Sequence, residues 1–259
     1  MPRRHADLLD HPLIAERYFF PRRARPRSRL DVDAGDAILA CALHRASPEG
    51  NAVVHFHGNG EVVADWQEGF EGFLGRLGWD LLLAEYRGYG ASTGEPLLGR
   101  MLEDVEPILR AAGPPGKLVV FGRSVGSIFA LEAVARFPGV AGLVLESAIA
   151  DPLERLLLRI EPHELGVDAA AFEAAVAARL DHRAKIAGYR GPVLVLHARH
   201  DGLIDPSHAE RLAAWAGGPV TKVIFEQGDH NSILSENQER YLAAVAEFLD
   251  EVRRGGSRR

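Results

Sequence analysis

A chain of 259 residues, 47% hydrophobic and 25% charged, has the makeup of a globular protein with ample core. Its net charge of −6 sets no overall attraction to nucleic acid or to an anionic membrane. The basic stretches Arg22–Arg29 and Arg253–Arg259 lie near the ends and read as solvated arms. In chain order, Met1-Pro-Arg-Arg-His-Ala-Asp7 lacks the apolar core of a signal peptide, and no later run approaches the ~20 apolar residues that span a bilayer. The expected setting is the cytoplasm, with no membrane anchor. Four short segments follow, Arg17–Phe20, Leu30–Val32, Ala37–Leu43 and Ala52–Phe56, punctuated by Gly35-Asp36 and Pro48-Glu-Gly-Asn51. They suit antiparallel strands joined by turns. Cys41, the single cysteine, excludes an intrachain disulfide and reads as a small buried residue.

From there the pattern alternates. Val62, Trp66, Phe70, Phe73 and Leu77 recur at helical spacing within Glu61–Leu77. Asp80–Tyr86 reads as a buried strand and Leu98–Ala111 as a helix despite Pro107. Leu118–Phe121, Val140–Leu145, Val193–His197 and Val220–Phe225 are further strands, and Ile128–Phe137, His208–Trp215 and Gln238–Val252 further helices. Nearly unbroken apolar strands alternating with helices predict a mostly parallel sheet covered on both faces, in one domain over residues 1–259. Residues 148–191 break the rhythm with two helix patterns and no strand: Leu153, Leu156, Leu157 and Ile160 on one face, Phe172, Val176 and Leu180 on another. The excursion leaves from a strand end, where ligands bind in such sheets, so it is expected to form a small helical cap.

Gly122-Arg-Ser-Val-Gly126 stands between a predicted strand and a predicted helix. That G-x-S-x-G context reads as a sharp turn that lifts a nucleophilic serine, Ser124, above the sheet. A serine hydroxyl needs a general base, and the base needs a group to orient it. His230 follows the last strand in Glu226-Gln-Gly-Asp-His-Asn231 and fits the base. Asp201, in the loop after Val193–His197, is the first candidate for the acid; Asp205, which reads as a helix cap before Pro206, and Glu146, at a strand end, are its rivals. The oxyanion hole calls for two backbone N–H groups. Val125 supplies one, and the loop His57-Gly-Asn59-Gly60 is expected to supply the other at Asn59. His55 and His57 alternate like strand residues, but no third ligand is nearby, so neither a metal nor a cofactor is expected. Gly113-Pro-Pro-Gly-Lys117 lacks the first glycine and the hydroxyl residue of a phosphate loop.

With these pieces placed, the chain resembles the α/β-hydrolase superfamily and, within it, the Bem46-like serine hydrolases. The resemblance is carried by His57-Gly-Asn-Gly60, Glu85-Tyr-Arg-Gly-Tyr-Gly90 with Ser92 and Gly94, Gly122–Gly126, Glu146-Ser147, Asp201 with Ile204 and Pro206, and Gly228-Asp-His-Asn231. It implies an α/β-hydrolase fold, a triad of Ser124, Asp201 and His230, and oxyanion donors at Asn59 and Val125. Two departures stand out. Glu85 replaces an aspartate usual in the group, a change expected to be structural. Members that remove palmitate from membrane proteins begin with a cysteine-rich, lipidated segment, where this chain has Pro2-Arg-Arg-His5. The expected activity is hydrolysis of esters or thioesters of small-to-medium acyl groups, with Leu153, Leu156 and Leu157 of the cap against the acyl chain. Amide or peptide cleavage is the alternative within enzymes, and a non-catalytic binding protein the alternative outside them. Dehalogenase chemistry, which needs an aspartate nucleophile, is excluded by Ser124.

Overall fold

Strands whose side chains are buried on both sides need helices on both faces. The computed structural model, which describes residues 8–256, has that arrangement. The start Met1–Asp7 and the last basic residues, Arg258 and Arg259, lie outside the described residues. Helix α1 (Pro12–Tyr18) precedes strands β1 (Leu30–Asp33), β2 (Ile38–His44) and β3 (Ala52–Phe56). Then come α2 (Val63–Arg76), β4 (Asp80–Ala84), α3 (Leu98–Ala112), β5 (Leu118–Arg123), α4 (Gly126–Arg136) and β6 (Gly142–Glu146). The excursion holds α5 (Pro152–Leu157), α6 (Ala169–Leu180) and α7 (His182–Gly188). The chain closes with β7 (Val193–Ala198), α8 (Ser207–Trp215), β8 (Val220–Phe225), α9 (Ile233–Glu236) and α10 (Gln238–Gly256).

The sheet runs β1-β2-β4-β3-β5-β6-β7-β8. Strand β2 is antiparallel to both β1 and β4, and every pairing from β4 to β8 is parallel. This is the α/β-hydrolase architecture: a mostly parallel sheet, an antiparallel start and helices on both faces. From β3 the chain steps outward to β4, then crosses back over β3 to β5 and continues the other way. The ends of β3 and β5 therefore flank the point where the winding reverses, the usual place for a ligand crevice.

Alternation along the strands sorts the core into two layers. Val53, Val119, Phe121 and Val144 face Phe70 and Phe73 of α2 and Tyr241 and Phe248 of α10. Val54, Val120, Leu143 and Leu145 face the buried sides of α3 and α4.

Three expectations are corrected. Arg17–Phe20 is not a strand. The His11 ring accepts from the Leu13 N–H, Pro12 opens the helix, and Ile14 and Tyr18 bury one face, so the segment is helical up to Tyr18. Strand β3 is parallel to both its neighbours rather than part of an antiparallel meander. The excursion carries a third helix, α7, whose cap Asp181 accepts from the Ala184 N–H at 2.8 Å. It packs on α4 and α8.

His182 opens α7 and is buried. Its Nδ1 donates to the Ile149 carbonyl at 2.7 Å, while Nε2 has no partner among the described residues. Burial, helped by the charge of Lys185, lowers its pKa to about 3. The unfolded chain, with an ordinary histidine near 6.5, binds a proton in a range where the folded chain does not. Stability from this group is thus fully present above pH ~6.5 and lost as pH falls toward 3, on the order of 4–5 kcal/mol in total. Thermal melts across that range are expected to show a falling Tm, with a shallower fall for His182→Gln; equal slopes for the two proteins would contradict the assignment.

Candidate active site

The turn after β5 carries a strained residue. Ser124 has φ of 52°, a conformation that disfavours any side chain. It is held there by its N–H, which donates to the Glu146 carbonyl at 2.9 Å, and by its own carbonyl, which accepts from the Ser127 N–H at 3.0 Å and hydroxyl at 2.6 Å. The flanking glycines are required by close approach. A Cβ on Gly126 would stand 2.1 Å from the Phe56 carbonyl oxygen, and one on Gly122 would stand 2.6 Å from the Ala130 Cβ. Gly126→Ala is therefore expected to lower stability by about 3 kcal/mol or more, because backbone rather than a movable side chain must yield. Denaturant unfolding measures it; a loss under 1 kcal/mol would refute the contact.

The hydroxyl of Ser124 faces His230 Nε2 at 2.9 Å. On the other side of the ring, His230 Nδ1 lies 2.8 Å from Asp201 Oδ2. A carboxylate accepts, so Nδ1 carries the hydrogen and Nε2 presents its lone pair to the serine. Asp201 Oδ1 accepts from the N–H groups of Leu203 at 2.9 Å and Ile204 at 2.8 Å. Burial disfavours its charge, but His230 and these two N–H groups outweigh that and hold Asp201 below the usual carboxylate range. Ser124, Asp201 and His230 are all at least nine-tenths buried.

The two rivals for the acid have other partners. Asp205 Oδ1 accepts from the Ser207 N–H at 2.8 Å in the turn ahead of α8, whose cap residue is Pro206 rather than the expected Asp205. Glu146 sits beside Arg123 in the β5–β6 register, accepts from the Tyr241 hydroxyl and does not bond His230.

The loop after β3 is fixed through the Asn59 side chain. Its Nδ2 donates to the Tyr18 carbonyl at 2.6 Å, and its Oδ1 accepts from the Phe20 N–H at 2.9 Å and the Tyr89 hydroxyl at 2.8 Å. The backbone N–H groups of Asn59 and Val125 meet no acceptor among the described residues. Beneath the loop, His57 Nδ1 donates to the Gly58 carbonyl at 2.8 Å and Nε2 lies 2.8 Å from Glu85 Oε1. Burial opposes the charge of His57, yet the hydrogen bond to Glu85 and its charge prevail and raise the ring above its ordinary value. His55 points to the opposite face and packs among Trp66, Phe70 and Phe121. Among the described residues no group of three His, Cys, Asp or Glu side chains is arranged to hold a metal.

The cap leucines part company. Leu156 and Ile160 are buried in the core, and Leu153 packs against it. Leu157 is 45% exposed, because α5 ends there and its outward face meets no partner layer. Leu153 lines a cavity of about 210 Å³ with Val176, Leu180, His182 and Trp215. A larger groove of about 780 Å³ runs between α2 and the α9–α10 corner, with Trp66, Phe70, Arg123 and Glu146 on its walls. Ser124 lines neither of them.

Several residues that build the site had been given no role from the sequence. Arg123, Glu61 and Tyr241, together with Glu146, form a charged and hydroxyl network behind Ser124, Asp201 and His230. Tyr86 donates its hydroxyl to the His57 carbonyl at 2.6 Å, and Arg87 clamps Asp104 of α3 at 2.7 and 2.5 Å. The available signal was the unusual density of ionisable and aromatic residues in Glu85–Gly90 and the arginine inside the serine motif.

The family profile of the α/β-hydrolase fold matches residues 51–180. The chain belongs to the α/β-hydrolase family. It is 25% identical over 219 residues to human alpha/beta hydrolase domain-containing protein 17B, covering 82% of this chain and 71% of that protein. It is 24% identical over 214 residues to the uncharacterized protein YfhR of Escherichia coli, covering 78% and 72%. Among solved structures, an esterase from Pyrococcus furiosus superposes with a TM-score of 0.67 at 15% identity, covering 89% of this chain and 98% of that one. A hydrolase from Pseudomonas aeruginosa superposes at 0.66 with 23% identity, covering 86% and 98%. Among the described residues no helix is long and apolar enough to cross a membrane.

Proposed function

We propose that this chain is a serine hydrolase that cleaves carboxylic esters or thioesters of small-to-medium acyl groups through an acyl-enzyme. The observation that carries this reading is the unbroken hydrogen-bond chain Ser124–His230–Asp201, at 2.9 and 2.8 Å, on a serine held at positive φ. In this mechanism the Ser124 oxygen attacks the substrate carbonyl carbon while His230 Nε2 takes the hydroxyl proton. Asp201 stabilises the resulting imidazolium and keeps its orientation. The N–H groups of Asn59 and Val125 receive the negative charge that develops on the carbonyl oxygen. His230 then protonates the leaving alcohol or thiol, and water, activated by the same histidine, releases the acid and restores Ser124.

The acyl preference rests on the rim. Phe20, whose N–H bonds the Asn59 side chain, and Leu203, whose N–H bonds Asp201, are 45% and 54% exposed, and Leu157 is 45% exposed. Apolar side chains next to both arms of the site offer burial to an acyl chain, at ~0.8 kcal/mol per CH₂. They do so on an open surface, which favours short and medium chains over long ones.

A fluorophosphonate probe is expected to label the wild type and not Ser124→Ala. His230→Ala should abolish ester turnover, and Asp201→Asn should lower kcat by about 10⁴-fold, because the ring is left in the wrong tautomer. Asp205→Ala should keep its activity and lose about 1 kcal/mol of stability with its hydrogen bond to the Ser207 N–H. Activity that survives Asp201→Asn but not Asp205→Ala would overturn the assignment. Across a p-nitrophenyl ester series, kcat/KM is expected to peak at short-to-medium acyl length and to fall at that peak in Leu157→Ser. A maximum at long chains, or indifference to Leu157→Ser, would remove the rim from substrate recognition.

A further inference from the structure

Strand pleat sends Arg123 away from the catalytic side, toward the face covered by α2 and α10. The residue is only 6% exposed. Its guanidinium is held in three directions. Nη1 lies 2.5 Å from Glu61 Oε1 in the turn before α2, and Nε lies 3.1 Å from Glu146 Oε1 at the end of β6. Glu146 is anchored in turn by the Tyr241 hydroxyl of α10. The remaining edge, Nη2, donates to the backbone carbonyl of His230 at 2.8 Å.

Arg199 at the end of β7 grips Glu226 at the start of the His230 loop at 2.6 and 2.7 Å, and the His230 ring bonds Asp201 and Ser124. The remaining side-chain ties of the loop are local. Asp229 Oδ1 accepts from the N–H groups of Asn231 and Ser232, and Asn237 donates to the Gln227 carbonyl, all within the loop and the helix that follows it. Among the described residues, Arg123 is what bonds the His230 backbone to the strand that carries Ser124. One planar fork thus fixes the base relative to the hydroxyl it must deprotonate, with its own angle set by two carboxylates on different elements.

We infer that Arg123 is a positioning residue for the reaction: it holds the His230 backbone in register with Ser124 without touching substrate. The inference rests on the hydrolase reading above. Because Arg123 lies behind the reacting atoms, its loss should appear in kcat rather than in KM. Misplacement of a general base by about 1 Å costs roughly 10²-fold.

The test is steady-state hydrolysis of a short p-nitrophenyl ester by Arg123→Ala and Arg123→Lys, with thermal melts of each. Arg123→Ala is expected to lower kcat by about 10²-fold with KM within about threefold of wild type. The groove of about 780 Å³ that Arg123 lines gives guanidinium ion a route to the vacated place. Guanidinium at ~20 mM, far below the concentrations that unfold proteins, should restore at least about tenfold of that loss. Lysine keeps the charge between Glu61 and Glu146 but offers a single nitrogen where the guanidinium reaches its three partners from three, so Arg123→Lys should fold normally and lose at least about tenfold in kcat. If Arg123→Ala does not fold, Arg123→Lys decides. A folded Arg123→Lys with wild-type kcat, or a folded Arg123→Ala whose kcat does not respond to guanidinium, overturns the positioning role. A wild type that takes no fluorophosphonate label overturns the hydrolase reading itself; a labelled, active wild type matched by Arg123→Lys overturns only the role of Arg123.

Discussion

Everything at this site depends on how closely helix α4 approaches the ends of β3 and β5. The Ser124 backbone occupies a conformation that costs an L-residue roughly 1–2 kcal/mol, and only surrounding structure can sustain it. Here the surroundings are over-determined. The Ser124 N–H is bonded to β6, its carbonyl is bonded twice to Ser127, and the Ser127 hydroxyl in turn accepts from the Ile149 N–H. The contact admits no Cβ at Gly122 or Gly126. Close approach also brings the first free N–H at the head of α4, that of Val125, near the loop that follows β3. Strain, glycine content and the location of the polar site are therefore one constraint seen from three sides.

The second layer of the design is buried charge. His57 with Glu85, and Arg123 with Glu61 and Glu146, take ionisable groups out of water next to the site. Such pairs seldom raise net stability, since desolvation offsets most of the attraction; what they fix is geometry. The segment Glu85–Gly90 shows this well. Glu85 bonds the His57 ring, Tyr86 the His57 carbonyl, Tyr89 the Asn59 side chain, and the Gly90 N–H the Arg22 carbonyl. Three of these contacts hold the turn that carries the Asn59 N–H, and the fourth fixes Arg22, whose Nε donates to the Gly60 carbonyl. A glutamate at position 85, one methylene longer than aspartate, reaches His57 with one oxygen and the Val63 N–H with the other, at 2.8 and 3.1 Å.

Much of the fold was legible because its signal is local. Unbroken apolar runs and helical spacing depend on burial by neighbouring layers, and burial dictates composition. The order of Ser124, Asp201 and His230 was legible for a related reason: each follows a strand, so a parallel sheet gathers all three at one edge. Elements stabilised by specific hydrogen bonds were harder to read. Helix α1 relies on a histidine ring as its cap, and α7 is only seven residues long and starts right after α6 behind Asp181. Periodicity over so few residues carries little information. The direction of β3 was also hidden, because an isolated strand's composition does not record whether its partner runs with it or against it. For the Arg123 network the sequence offered only the arginine inside the serine motif; its partners Glu61, Glu146 and Tyr241 meet it through tertiary register.

The cap shows where sequence periodicity misleads even when the residues are right. Leu153, Leu156, Leu157 and Ile160 have the spacing of one helical face, yet α5 stops at Leu157 and the stripe never forms as a unit. Leu156 and Ile160 serve the core, while Leu157 and Leu158 are left outside at 45% and 64% exposure. Polar contacts add to this apolar packing: Arg17 of α1 grips Glu164 with both nitrogens, and the His208 ring of α8 accepts from the Ala150 N–H. With its base bonded to α1 and α8 and its apolar side chains Leu157 and Leu158 turned outward, the excursion offers the proposed site an open rim. Selection among acyl groups on such a rim would follow the apolar area each chain can bury there. In the proposed hydrolase reading, the outward-facing leucines rather than the core-facing ones are therefore the part of the cap that would meet substrate.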